Sequence, residues 1–151
     1  MIEIVQGNGL DVAAIMPVMA EAFAPEFGEA WTAAQCLSTL AMPGGQLLIA
    51  KTAGSVVGFA LSRGVMDEEE LLLIGALSSA RRQGIGRQLI ASFNQACTKL
   101  GRRTVFLEVR EGNNAYIFYT SMGFLPIGRR SGYYKSTDGS KHDSITMALA
   151  L

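Results

Sequence analysis

The chain has 151 residues, of which 49% are hydrophobic and 17% are charged, and its 13 basic side chains balance its 13 acidic ones. This composition excludes a disordered tail and predicts one domain with a filled core, over residues 1–151. The balanced charge argues against a general nucleic-acid or membrane-surface binder, because both classes need a basic excess. We therefore expect neither nucleic acid nor membrane as a partner.

Targeting and metal signals are weak. Met1–Ile4 carries no basic segment ahead of an apolar stretch, and the longest apolar run, Leu71–Leu77, is far shorter than the roughly 18 residues of a membrane span. We expect a cytoplasmic protein. Two separated cysteines, Cys36 and Cys97, and the single His142 cannot form a CxxC-type zinc site. We expect no metal, and both thiols as small buried apolar residues.

The first half of the chain is predicted to form two helices and then an antiparallel meander. The predicted helices are Leu10–Phe23 and Trp31–Leu40, and the predicted strands are Gln46–Thr52, Ser55–Val65 and Leu71–Leu77. Pro17 should kink the first helix or divide it, and Thr32 is a plausible N-cap of the second. Ala53-Gly54 predicts a tight turn between the first two strands. The acidic run Asp67–Glu70 predicts a further turn before the third strand, which is apolar on both faces and should be central.

The second half switches between helical and strand periods. The predicted elements are a helix over Gly84–Leu100 ended by Gly101, a strand over Thr104–Arg110, a short helix over Asn114–Met122, and strands over Phe124–Tyr134 and Ser144–Leu149. Strand, helix and strand from Leu71 to Arg110 form a βαβ unit, so these two strands should be parallel. The result is a mixed α/β sheet with helices on both faces.

The most informative stretch is residues 81–87, Arg-Arg-Gln-Gly-Ile-Gly-Arg, between a central strand and a long helix. A helix N-terminus leaves backbone amides unpaired, and glycines let a phosphate approach them closely. The segment therefore predicts an anion site, with a glycine-rich turn and solvated arginines as the alternative. It is neither a Walker loop nor the dinucleotide GxGxxG, because residue 89 is Leu.

This Arg-x-x-Gly-x-Gly pattern resembles the acetyl-CoA pyrophosphate motif of the GNAT N-acetyltransferase superfamily. The resemblance continues through most of the C-terminal half and is closest to the RimI branch. The matching residues are Leu107-Glu108-Val109-Arg110, Asn113, Phe118-Tyr119, Gly123-Phe124, and the series Arg129-Arg130, Tyr133-Tyr134, Asp138-Gly139 and Asp143. The resemblance implies a GNAT fold: about seven strands, mostly antiparallel, with a central parallel pair splayed apart.

The resemblance also implies roles for two side chains. Glu108 would be the general base, acting directly or through a water, and its alternative is a solvated charge on a strand face. Tyr119 would protonate the departing thiolate of coenzyme A, and its alternative is an aromatic that fills a helix-to-sheet contact.

Further residues are implied for binding acetyl-CoA, the co-substrate. They are Ile74, Gly75 and Ala76 along the pantetheine arm, Arg82, Gln83, Gly84, Ile85, Gly86 and Arg87 at the pyrophosphate, and Asn113 near the following helix. Gly75 inside a strand also fits a bulge or a close ligand approach. Asn113 precedes Tyr119 by six residues where the branch has seven, which leaves Asn113 and Asn114 as alternatives. Two other departures are Ser78, where the family has Pro, and the additional Gly132 between the arginine and tyrosine pairs.

The function implied is acetyl transfer from acetyl-CoA to the N-terminal alanine amine of a small-subunit ribosomal protein. One alternative keeps the fold and changes the acceptor to a small amine, such as a polyamine, an amino acid or an aminoglycoside. Another is a CoA-binding sensor without turnover. We expect a monomer, because no element of the sequence indicates an obligate interface.

Overall fold

The computed structural model describes residues 1–151, apart from the side chains of Arg81 and Arg82. The strands are β1 (Ile2–Gly7), β2 (Gly45–Thr52), β3 (Ser55–Val65), β4 (Glu68–Ala76), β5 (Thr104–Arg110), β6 (Leu125–Lys135) and β7 (Lys141–Ala150). The α-helices are α1 (Val12–Ala22), α2 (Ala33–Ala41), α3 (Ile85–Lys99) and α4 (Ala115–Ser121). Short 3₁₀ turns cover Gly9–Asp11, Pro25–Phe27 and Ser78–Gln83.

The seven strands form one sheet in the order β1-β2-β3-β4-β5-β7-β6. β4 and β5 are parallel, and the other neighbours are antiparallel. The crossover between β4 and β5 is made by α3, since parallel neighbours need a long connection. This confirms the expected mixed sheet with its central parallel pair.

Several local predictions are confirmed by the element ends. β3 begins at Ser55, after a turn in which Ala53 and Gly54 have φ values of 49° and 81°. Thr32 caps α2 in a reciprocal capping box with Gln35. Gly101 follows α3 with a φ of 81°, as a helix-ending glycine should.

Three features differ from the sequence prediction. β1 is an additional edge strand, paired with β2. The prediction of a turn over Asp67–Glu70 is wrong for its last three residues, because Glu68–Glu70 belongs to β4 and pairs with strands on both sides. Of the two outcomes predicted for Pro17, the division of the helix does not occur, because α1 continues through it.

The sheet separates two apolar clusters. On the face covered by α3 and α4, the buried residues include Leu48, Ala60, Leu71, Leu89, Ile90, Phe93, Cys97, Val105, Leu107, Phe124 and Met147. On the face covered by α1 and α2 they include Val12, Ile15, Val18, Met19, Cys36, Leu47, Ile49, Phe59, Leu61 and Leu73. Each large aliphatic or aromatic side chain buried there contributes about 1.5–3 kcal/mol. Both cysteines are free and buried, as expected.

The parallel pair is hydrogen-bonded over a short length only. Glu68–Glu70 pairs with Thr104–Phe106, and no further pairing between these two strands is present in the described structure. At this closed end Glu69 is fully buried, and its carboxylate accepts from the Arg102 guanidinium at 2.9 Å and from the Ser62 hydroxyl at 2.7 Å. A buried charge needs such partners, and here they join β3, β4 and the segment before β5. Beyond this anchor β4 and β5 diverge.

Candidate active site

A cleft of about 900 Å³ opens where β4 and β5 diverge. Its walls come from both strands, from the N-terminal ends of α3 and α4, from the connection between α1 and α2, and from β6. The lining includes Phe23, Phe27, Glu29, Trp31, Glu70–Ala76, Gly84, Gly86, Arg87, Leu107–Arg110, Gly112–Ala115, Phe118, Tyr119, Tyr133 and Tyr134. The cleft is concave and is lined by apolar and polar groups in similar measure, and concave sites with convergent polar groups are where proteins commonly bind ligands.

The N-terminus of α3 meets the requirements of an anion site. Gly84 occupies the N-cap position with a φ of 76°, and no side chain caps the helix there. A Cβ on Gly84 would meet no described atom within 4 Å, so the space beside the uncapped amides is open. Gly86 packs closely against α4, since a Cβ there would lie 3.1 Å from Cζ of Phe118 and the ring would have to shift by a few tenths of an ångström. The first turn carries no acidic residue to oppose an anion.

The other residues expected around this helix start are placed differently. Arg87 lines the cleft and is exposed, with its guanidinium 3.4 Å from Oγ of Ser121. Gln83 is exposed and Ile85 is fully buried in the core, and neither of them is among the residues that line the cleft. The side chain of Arg82 lies outside the described residues.

The β4 residues expected along the cofactor all line the cleft, namely Ile74, Gly75 and Ala76. A bulge, one of the two explanations offered for Gly75, does not apply, because Gly75 pairs directly with Phe59. The β3–β4 register shifts three residues earlier, at Leu72. Gly75 is required by packing, because a Cβ there would lie 2.9 Å from Cβ of Ala22. From Leu71 to Gly75 no strand pairs on the β5 side in the described structure.

Asn113 stands at the start of α4. Its Oδ1 accepts from the backbone N–H of Ala115 at 2.9 Å, which satisfies one of the free amides of the helix. Both Asn113 and the next residue, Asn114, line the cleft. The bond to Ala115 uses only the oxygen of the Asn113 amide, so its NH₂ group is the part that can serve a ligand.

Glu108 lies on β5, and its side chain is only 8% exposed. Ser144 donates to Oε2 at 2.8 Å, and the Thr146 hydroxyl lies within 2.8 and 2.9 Å of the two carboxylate oxygens. Nε of Arg130 is 3.3 Å from Oε1. Thr146 is the in-register neighbour on β7, which explains the short contacts. The alternative of a solvated charge on an open strand face is therefore wrong.

Tyr119 combines a packing role with a place in the cleft. Its ring contacts Phe124 in an edge-to-face arrangement with centroids 5.8 Å apart, and the residue is 9% exposed. It also lines the cleft. Burial, and secondly the negative charge of Glu29, raise the pKa of Tyr119 well above its usual value. The phenol therefore stays protonated at neutral pH.

The sequence did not single out a cluster at the mouth of the cleft. The Arg110 guanidinium is 2.7 Å from the Glu29 carboxylate and lies 3.6 Å from the centroid of the Phe27 ring. The backbone N–H of Thr137 donates to the Glu26 carbonyl at 2.9 Å. These contacts join the α1–α2 connection to β5 and to the β6–β7 turn. No sequence signal could have revealed them, because the partners are far apart along the chain.

The additional Gly132 reshapes β6. Three residues, 131 to 133, stand opposite one on β7, and Gly132 adopts a φ of 62° with its N–H bonded to Oδ1 of Asp143 at 2.9 Å. The bulge includes Tyr133 and is followed by Tyr134, and the rings of these two residues meet edge to face with centroids 4.9 Å apart. The Tyr134 hydroxyl donates to the Glu108 carbonyl at 3.1 Å. The bulge thus places two aromatic rings beside the Glu108 strand.

Two further findings concern the described residues as a whole. No group of three or more His, Cys, Asp or Glu side chains among them is placed to hold a metal ion. None of the helices they form is both long and apolar enough to span a bilayer.

Comparison with known proteins shows which family the chain belongs to. Residues 14–141 match the model of the acetyltransferase (GNAT) domain. The chain is 39% identical over 99 residues to the [ribosomal protein bS18]-alanine N-acetyltransferase of Escherichia coli strain K12, an alignment that covers 65% of this chain and 66% of that relative. It is 33% identical over 110 residues to the N-alpha-acetyltransferase RimI of Mycobacterium tuberculosis, covering 70% of this chain and 68% of the relative.

A solved structure extends the likeness to nearly the whole chain. The crystal structure of the ribosomal-protein-S18-alanine N-acetyltransferase from Escherichia coli superposes with a TM-score of 0.88 at 31% identity, covering 99% of this chain and 94% of that one. In sequence, the first of the curated relatives are matched over just under two thirds of their length. The chain therefore belongs to the GNAT acetyltransferase family, in its RimI-like branch.

Proposed function

We propose that this protein transfers the acetyl group of acetyl-CoA to the N-terminal alanine amine of a small-subunit ribosomal protein. One observation carries the proposal: the uncapped, glycine-flanked start of α3 opens into the same cleft as Glu108 and Tyr119. A site for an anionic cofactor and two proton-handling groups therefore share one space. The names of the Escherichia coli and Mycobacterium tuberculosis relatives support the choice of a protein N-terminus as acceptor.

The residues present fit acetyl-CoA. The amides at Gly84, Gly86 and Arg87 would hold the pyrophosphate, because the helix dipole and unpaired N–H groups favour anions. The free β5-side edge of Leu71–Gly75 would pair with the amide groups of the pantetheine arm, as a strand would. Asn113 would donate its NH₂ group to the same arm. When bound, acetyl-CoA supplies an acetyl group activated as a thioester.

The chain's own chemistry concerns protons and charge. Glu108, fixed by two hydroxyls and Arg130, would take a proton from the acceptor nitrogen as that nitrogen attacks. Tyr119, kept neutral by burial, would give its proton to the departing sulfur. A β4 backbone N–H would stabilise negative charge on the acetyl oxygen.

An N-terminal amine is an acceptor that a carboxylate base can deprotonate without much difficulty. An α-amine has a pKa of about 7.7–8.0, whereas a lysine amine has one near 10.4 and is harder to deprotonate. We expect the aromatic walls provided by Tyr133, Tyr134 and Phe27 to cover the first residues of the acceptor chain.

A thiol-release assay across acceptors tests the proposal. The panel compares an Ala-starting ribosomal peptide, the same peptide with a blocked N-terminus, and small amines that include a polyamine, an amino acid and an aminoglycoside. We expect turnover with the free peptide and none with the blocked one. Preference for a small amine would overturn the protein acceptor, and acetyl-CoA binding without turnover on any amine would indicate a sensor.

A further inference from the structure

Glu70 is a further carboxylate in the cleft lining, besides Glu108 and the Glu29 that pairs with Arg110. Glu70 lies on β4, in register with Phe106 of the neighbouring parallel strand β5. Glu108 follows Phe106 on β5 by two residues. In-register residues of adjacent strands point to the same face of a sheet, so Glu70 and Glu108 share a face. Both line the cleft.

The two carboxylates differ in how much of their hydrogen-bonding capacity is used. A carboxylate offers about four lone-pair positions, and those of Glu108 face Ser144, Thr146 and Arg130. Glu70 has no hydrogen bond or ion pair with the described side chains, and it is exposed. Glu70 can therefore accept a proton from a ligand and pass it to water, whereas Glu108, held by its three partners, is poorly placed to exchange a proton with water.

The charges around Glu70 also favour its protonated form. Burial of part of the side chain, followed by the negative charge of Glu108 on β5, raises the pKa of Glu70. Arg130 on β6 and Arg63 on β3 act in the opposite direction with smaller effects. Tyr133 on β6 is near this group as well: burial, then the negative charges of Glu108 and Glu70, raise the pKa of that phenol.

An amine arrives at neutral pH as an ammonium, which cannot attack until it has lost a proton. It loses a second proton as the new nitrogen–carbon bond forms. We propose that Glu70 takes the first of these protons, while Glu108 takes the second. In the first transfer the N–H bond breaks and an O–H bond forms on Glu70, the electron pair stays on nitrogen as a neutral amine, and the proton then passes from Glu70 to water. This inference rests on the proposed acetyl transfer.

The pH dependence of kcat/KM for the acceptor peptide tests this role at saturating acetyl-CoA. With Glu70 present, ammonium is a productive substrate, so the acidic limb should lie below the pKa of the free amine. In Glu70→Gln only neutral amine is productive, so the limb should move up to about 7.7–8.0. We expect on the order of a tenfold loss at pH 6.5, because only about 5% of such an amine is neutral there. By pH 9.5 the loss should shrink to within about twofold.

Glu68→Gln is the matched control, since Glu68 is exposed on the same strand and is outside the cleft lining. It should follow the wild-type profile at every pH. The inference is overturned if Glu70→Gln also follows the wild-type profile, or if it lowers kcat/KM by the same factor across the range. An inactive wild-type protein would instead overturn the proposed function, and this inference with it.

Discussion

Arg110 and Glu29 are 81 residues apart in sequence, and the Arg110 Nε lies 2.7 Å from a Glu29 carboxylate oxygen. The two side chains are only 13% and 14% exposed. The pair therefore closes the connection between α1 and α2 onto β5, at the edge of the cleft. Burial is the main cause of the raised pKa of Tyr119 and Tyr134, and the nearby negative charge of Glu29 adds to the rise in both phenols.

Removal of this partly buried partner should cost stability. Arg110→Met keeps most of the apolar stem but leaves Glu29 without its ion pair, so we expect the free energy of unfolding to fall by about 1–3 kcal/mol. Urea denaturation measures the change. Arg129→Met is the control. Arg129 forms ion pairs with two carboxylates, but its side chain is 53% exposed, and solvent screening makes such exposed pairs weak. Equal losses in the two variants would contradict the structural role of the Arg110–Glu29 pair.

Two glycines at opposite ends of α3 separate backbone strain from cofactor binding. Gly84 and Gly101 have φ values of 76° and 81°, and a Cβ on either would meet no described atom within 4 Å. Gly84→Ala and Gly101→Ala should therefore each lower the free energy of unfolding by a similar amount, about 1–2 kcal/mol. Only Gly84→Ala adds a methyl group beside the proposed pyrophosphate site, and it should weaken acetyl-CoA binding about tenfold in equilibrium titration. Equal affinities in the two variants would refute a cofactor role for this turn.

The proposed catalytic pair predicts lost turnover with retained binding. Glu108→Gln and Tyr119→Phe each remove one proton-transfer group with little change of shape, so kcat should fall by at least about 100-fold. Acetyl-CoA affinity should change by less than about threefold, measured on the same preparations. Tyr116→Phe is the control, since Tyr116 lies on α4 outside the cleft lining. Undiminished turnover in either test variant would remove that residue from the mechanism.

The buried thiol of Cys97 should make the free energy of unfolding fall at alkaline pH. Burial, and secondly the charge of Glu69, raise the pKa of this thiol to about 12, from a usual value near 9. Above pH 9 the unfolded chain ionises the thiol while the folded chain keeps it neutral, so folding stability falls as pH rises. The ionisation of this one thiol should lower the free energy of unfolding by up to about 1.4 kcal/mol for each pH unit until about pH 12 is reached. Urea unfolding of Cys97→Ala should show a shallower decline between pH 9 and 10.5, and parallel curves below pH 8. An unchanged slope would show that the thiol does not titrate as its surroundings indicate.

Local patterns predicted much of the fold because their signals are short-range. The alternation and turn around Ala53-Gly54 defined the ends of β3, and Thr32 and Gly101 marked helix ends through backbone capping. The prediction of a turn before Leu71 was wrong because the acidic composition of Glu68–Glu70 is typical of a solvated turn. Pairing with strands on both sides outweighs that local preference.

The site was predictable in part for the same reason. The two glycines at the start of α3 belong to a motif that acts through its backbone amides, and the structure places both Gly84 and Gly86 at the cleft. The contacts of Glu108 with Ser144 and Thr146 depend on the β5–β7 register, which no single segment contains. The lack of a partner for Glu70 in the described structure is likewise a property of the assembled sheet.

The most direct test of the account is a crystal structure with bound coenzyme A. We predict that its diphosphate oxygens accept hydrogen bonds from backbone N–H groups at the start of α3, around Gly84 and Gly86, with the pantetheine arm along Leu71–Gly75. A diphosphate bound at another place, or a cleft that takes up no coenzyme A at saturating concentration, would contradict it.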